Sequence, residues 1–323
     1  MKAEISQLLS GRVSRRGKAE REAGLWSEDF RKYWSLYLMA LPGVLALLIF
    51  SYGPMFGLSI AFVDYSPVRG ILNSEWVGLS WFKMAFQHPL FWPAVRNTII
   101  IKGLQTIIGY PSAIILALLL NEVRLRWFKS VVQTATILPY FISWVIVGSI
   151  WKNLLGTSGV ANEVLQHVFG MEAVRFLTDP VIFRWIVVLQ DTWKFCGYFA
   201  VLYLAAIATI DPTLYEAAMV DGANRWQQAW HVTLPGIRPT MVTILILVMG
   251  YLIVGSFEQI YVMYNVSVYS TADIIETLTF RLGLGQAKYG LATAVGLFQA
   301  VLAFGSVMLT NQLVKRFGEE GLL

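Results

Sequence analysis

Six long apolar stretches divide this chain, and they constrain its fold more than any other feature: Tyr33–Val63, Val95–Leu120, Ser130–Trp151, Ile182–Ile210, Thr240–Tyr264 and Gly290–Val314. A helix needs about 20 apolar residues to cross the hydrocarbon core of a bilayer. In lipid every backbone N–H and C=O must be paired within the protein, which leaves helices as the natural spanning element. The stretches therefore predict an all-α integral membrane protein of about six transmembrane helices. Pro42, Gly43, Gly53 and Pro54 predict a kink or a tilted start in the first, and Pro111 and Pro139 interrupt the second and third. Composition agrees: 14% of the 323 residues are charged, against about 25% in soluble domains.

Several function classes drop out on residue counts. Cys196 is the single cysteine, so the chain has no internal disulfide framework and no Cys-rich metal site. His88, His167 and His231 are far apart and lack metal-ligand spacing, so no metal is expected. The sequence has neither a nucleophile–base set nor a Gly-rich phosphate loop, so no ATP hydrolysis is expected of this chain. The net charge of +5 does not indicate nucleic acid, because the basic residues gather at one set of helix ends.

That clustering sets a direction. With the N-terminus inside, the inner segments hold fifteen Lys and Arg and the outer loops six, the bias expected for cytoplasmic connections. Both termini are then cytoplasmic. Residues 1–32 read as an N-terminal tail, with eight basic residues, and residues 318–323 as a short C-terminal one. The outer loop Asp64–Pro93 is rich in Trp and Phe, as at a membrane interface. Ser158–Met171 and Asp273–Leu284 read as short amphipathic helices.

The cytoplasmic connection 211–239 is more structured than a plain loop. Asp211 can cap a helix with Pro212 at its first position. Gly222 offers a left-handed end. Asn224 with Gln227 reads as a capping box for a second helix, which Leu234-Pro235 is expected to end. The order Glu216-Ala217-Ala218, three residues, Gly222, nine residues, Val232, one residue, Leu234-Pro235 resembles the EAA loop of importer-type ATP-binding-cassette permeases. That family usually has Ile where this chain has Val232. Asp221-Gly222-Ala223 is similar to the maltose-permease, sugar-importing branch. Tyr37–Gly43, Tyr52–Met55, Ala117–Glu122 and Ala292–Leu297 look like permeases for oligosaccharides and polysaccharide fragments, alginate-type ones among them.

The resemblance implies a type I importer bundle over 33–317 in a bacterial inner membrane, surrounded by lipid. It implies a second homologous permease, two ATPase subunits that bind ATP and Mg, and an extracytoplasmic binding protein. No cofactor is implied for this chain. The coupling contact to the ATPases would fall on Glu216, Ala217, Ala218, Asp221, Gly222, Trp226, Leu234 and Pro235.

Ionisable residues inside spans suggest function. Lys102, Asp191, Lys194 and Glu258 stand out, each with an equally plain structural reading. Asp191 and Lys194 are three apart and can neutralise each other. Lys102 can snorkel to the interface. The functional reading is a polar and aromatic substrate pathway of Gln190, Asp191, Trp193, Lys194, Tyr198, Glu258, Gln259 and Tyr261. Lys194 and Lys102 would then meet any carboxylate on the cargo. Two other readings stay open: an ion-gradient-driven secondary transporter, and a cassette permease for a non-sugar solute.

Overall fold

The computed structural model describes residues 32–250 and 254–316. Of the expected tails, 1–32 and 318–323, all but Lys32 lie outside them, as do residues 251–253 of the fifth stretch. Among the described residues, those up to Ser59 form one compact unit and those from Ile60 a second.

The first stretch is helix α1, Lys32–Phe62. Pro54 has no N–H to give, and the helix widens just before it. Leu48–Tyr52 is a π turn in which Gly53 N–H bonds to the Leu48 carbonyl. A 3-10 segment, Phe56–Phe62, follows.

The second unit begins with α2, Ser80–Gln87, and α3, Phe91–Glu122. Helix α3 runs unbroken through Pro111. It packs along α7, Pro180–Ile207. Ala113, Ala117 and Ala200 bring these two backbones close, and Tyr203 and Ile207 fill the remaining seam. Toward the other end, Ile101, Phe183 and Val187 bury against Ile260 and Met263 of α11, Phe257–Met263.

The third stretch is not one straight helix. It comprises α4, Arg126–Ile137, a 3-10 turn at Leu138–Phe141, and α5, Trp144–Leu155. The arm Arg126–Phe141 and the arm Trp144–Phe169 bend by 107°. Pro139 explains the stop, having no N–H for the ladder and a ring that crowds the preceding turn. Ser143 restarts the helix by accepting from Ile146 N at 3.4 Å. The expected helix at Ser158–Met171 is α6, Val160–Phe169, ended by Gly170.

The connection 211–239 holds α8, Pro212–Val220, and α9, Arg225–Gly236. Helix α10, Arg238–Gly250, continues into the fifth stretch. Helix α12, Ile275–Phe280, with a π turn Arg281–Gly285, occupies the expected Asp273–Leu284 segment. It docks on the start of α3, where Asn97 donates to the carbonyls of Ser270 at 3.2 Å and Asp273 at 3.1 Å. Thr98 accepts from Ile275 N at 3.0 Å. The sixth stretch is α13, Tyr289–Arg316.

One close approach is set by a missing side chain. A Cβ at Gly197 of α7 would collide with the backbone of Thr136 in α4. Gly197→Ala should therefore lower the thermal stability of the purified protein by about 1–3 kcal/mol. Gly103→Ala, with open space around it in the interior of α3, should not lower the melting temperature and should add up to about 1 kcal/mol through helix propensity.

Candidate functional site

The 211–239 connection folds as its local chemistry dictates. Asp211 accepts from Thr213 N at 2.9 Å, and that bond holds its carboxyl below the usual carboxylate range. Gly222 ends α8 at φ +81°. Ala223 N then reaches back to the Ala218 carbonyl at 2.9 Å, the six-to-one bond of a Schellman end. Asn224 and Gln227 form the capping box reciprocally, at 2.8 and 2.9 Å.

Leu234-Pro235 does not stop the second helix. Pro235 cannot donate, so the preceding turn widens into a π turn at Ala229–Thr233. The helix then continues to Gly236 and breaks at Ile237 with a bend of 63°.

Three contacts tie this unit down. Tyr215 OH and Thr233 Oγ1 are 3.0 Å apart, joining α8 to α9. Arg225 bonds Glu122 at the end of α3, at 2.6 Å. Gly236 lies against Ile210, with no room for a side chain between them. Around these anchors, Glu216, Ala217, Asp221, Gly222 and Pro235 are exposed, while Ala218 and Leu234 are half-buried. Large apolar groups also face outward: Val220 is 89% and Trp226 71% exposed, and Trp226 meets Trp230 edge-on. Apolar groups so open on a polar connection are available for contact.

A second feature lies between α3, α7 and α10. It is a cavity of about 550 Å³, within the 300–1,000 Å³ range of small-molecule sites. Lys102 and Asp191 are the charged side chains among its lining residues. Tyr110, Tyr140, Tyr198 and Phe199 supply aromatic faces. Gln105 Oε1 and Thr192 Oγ1 are buried at its wall without a hydrogen-bond partner.

The eight expected pathway residues divide. Asp191 and Tyr198 line the cavity. Gln190 and Gln259 are fully buried beside it in an amide relay. Gln105 donates to Gln259 at 3.0 Å, and Gln259 donates to Gln190 at 3.0 Å and to the Val187 carbonyl at 2.8 Å. Lys194 donates to the carbonyls of Pro139 at 2.9 Å, Tyr140 at 3.0 Å and Ile142 rather than directly to Asp191. Trp193 is exposed near Trp151. Glu258 is exposed at the start of α11, and Tyr261 packs with Phe257 and Phe280.

Sequence reading missed Gln105, Thr192 and Tyr140 as wall residues and Glu276 as a cap. Glu276 accepts from Gly255 N at 2.8 Å and Ser256 N at 3.0 Å, just before α11. A carboxylate placed within an apolar segment was the available signal for Glu276; the neutral residues carried none.

Residues 109–319 match the family model described as "Binding-protein-dependent transport system inner membrane component". The polygalacturonan/rhamnogalacturonan transport system permease protein YteP of Bacillus subtilis (strain 168) is 45% identical over 287 residues, 89% of each chain. A chain in the crystal structure of a bacterial alginate transporter, in complex with an alginate pentasaccharide-bound periplasmic protein, is 40% identical. The match covers 91% of this chain and 99% of that one, with a TM-score of 0.84. A second crystal structure, of a transporter importing the acidic polysaccharide alginate, has a chain 42% identical. There the match covers 90% and 98%, with a TM-score of 0.83.

The amide relay joins three helices through one side chain. Gln259→Leu should strand the amides of Gln105 and Gln190 and destabilise the protein by about 1–3 kcal/mol, read as a lower melting temperature in detergent.

Proposed function

The chain belongs to the family of binding-protein-dependent transport system inner membrane components and is a multi-pass importer permease, not an ATPase; from that premise we propose that it carries a carbohydrate, an oligosaccharide or polysaccharide fragment bearing carboxylates. The observation that carries the cargo reading is likeness of 40–42% identity, over about nine-tenths of this chain, to chains of transporters for the acidic polysaccharide alginate. Lys102 in the cavity supports it, as a cation placed where a carboxylate could be met.

In this reading both termini are cytoplasmic, with tails at 1–32 and 318–323 flanking a permease domain at 33–317. The partners are a second homologous permease, two ATPase subunits and an extracytoplasmic binding protein. The loop 211–239 is the coupling element. Trp226, Val220 and Met219 give apolar anchors, Glu216 and Asp221 polar contacts, and Ala217, Ala218 and Gly222 close approach. Leu234 and Pro235 set the exit into α10. Asp191, Tyr198 and Lys102 face the cargo, and Gln190 and Gln259 back the wall. Trp193, Glu258 and Tyr261 lie off the cavity and are left for surfaces completed by partners. Alternating access, driven by ATP in the partner subunits, then exposes the cavity to each side in turn.

The test is to reconstitute the chain with its partner subunits in liposomes. Loaded binding protein carrying a uronate oligosaccharide should stimulate ATPase activity. Uptake that persists without ATPase subunits, or stimulation by an amino acid instead, overturns the reading. Two variants sharpen it. Trp226→Ala should weaken ATPase-subunit association by roughly tenfold or more, as loss of an exposed Trp anchor does, measured by pull-down titration. Lys102→Met should raise the half-saturating concentration of an acidic cargo roughly tenfold, the weight of a charge-assisted bond, and leave a carboxyl-reduced cargo unaffected.

A further inference from the structure

A short face of α7 gathers three features that the transport reading leaves unexplained. Lys194 donates to the carbonyls of Pro139, Tyr140 and Ile142, the stretch where the third apolar segment leaves its helix ladder. One turn on, Tyr198 stacks on Tyr140 with ring centroids 4.1 Å apart and planes within 9°. Between them, Gly197 admits the Thr136 backbone. The Lys194 ammonium also sits 5.1 Å from the Trp144 ring, the first residue of α5. Both sides of the break are thus held by one nitrogen.

The chemistry suits that task. Carbonyls released from a helix inside a bilayer need donors from within the protein. A lysine ammonium offers three donors on a flexible stem and no acceptor. The residues it holds include Tyr140, and both Tyr140 and Tyr198 line the cavity. We propose that Lys194 is a positioning residue for transport: it clamps segment 139–142 so that Tyr140 and Tyr198 form one stacked aromatic wall on the cavity. The inference rests on the reading that this cavity lies on the cargo route. It assigns Lys194 no contact with cargo, and so differs from the charge-reading role given to Lys102.

The test uses the full reconstituted complex and one cargo-independent readout. In a Cys196→Ser background, cysteines at 140 and 198 are joined by a short thiol cross-linker. Cross-linking should be efficient with Lys194 present and fall at least threefold with Lys194→Met. Yield unchanged by that substitution overturns the proposal whatever the cargo proves to be. In the transport assay, Lys194→Met should raise the half-saturating concentration about tenfold for an acidic cargo and for its carboxyl-reduced form alike. Tyr140→Leu should do the same, and the double variant should be no worse than either single one. Loss confined to the acidic cargo, or additive effects in the double variant, overturns the proposal. Should Lys194→Met fail to assemble, Lys194→Gln decides, since it keeps donors without charge. Cross-linking and response to both cargoes within about threefold of the parent support the clamp; loss of the acidic response alone overturns it. A parent complex that responds to no saccharide refutes the cargo reading and leaves the cross-linking result to stand alone.

Discussion

Breaking a helix within hydrocarbon leaves backbone groups that the next turn can no longer satisfy, and water is not there to help. The architecture follows from where those groups find partners. At the break after Pro139, the partner is the Lys194 ammonium. Ahead of α11, the Gly255 and Ser256 N–H groups find the Glu276 carboxylate. Where α12 docks, Asn97 and Thr98 answer carbonyls and an N–H from the 270–275 segment. Each is a polar side chain on one element closing the open end of another. Such bonds need no ion pair, because a charged group facing several backbone dipoles is already compensated.

This explains which parts of the structure were legible in the sequence. The stretches that became the long helices α1, α3, α7 and α13 were, because bilayer thickness sets a length and the chain must meet it; the breaks within the third and fifth were not. The 211–239 connection was, because its determinants are local. Asp211 reaches two residues on, Asn224 three, and Gly222 acts through its own φ. Leu234-Pro235 was the exception, since a widened turn lets the helix absorb a proline that would otherwise stop it.

The roles of the charges within spans were not legible. Asp191 and Lys194 are three apart on one helix, and helical spacing pairs them. The hydrogen bonds of Lys194 go instead to carbonyls more than fifty residues earlier, brought near by the bend at Pro139. Nothing in the order of residues announces that bend's angle. The neutral wall residues Gln105 and Thr192 were silent for the same reason. A buried amide takes its role from partners on other helices: Gln105 bonds Gln259 on α11, which in turn bonds Gln190 on α7.

The two candidate regions are joined by the shortest available route. Helix α7, carrying Asp191 and Tyr198 on the cavity, runs directly into α8 through a bend of 77°. Helix α10, carrying Ile244, Leu247 and Val248 on the opposite wall, emerges from α9 through a bend of 63°. Within the connection, Tyr215–Thr233 and the close seat of Gly236 on Ile210 keep the two halves from moving apart. Arg225–Glu122 links them to α3, a third wall of the cavity. In the proposed coupling role, a force on the exposed apolar face of the connection would be delivered to three cavity-lining helices at once. Packed interfaces of this kind shift between discrete arrangements rather than deform continuously. A capped, cross-tied connection suits that proposed transmission, because a loose loop of the same length would dissipate the displacement before it reached the cavity.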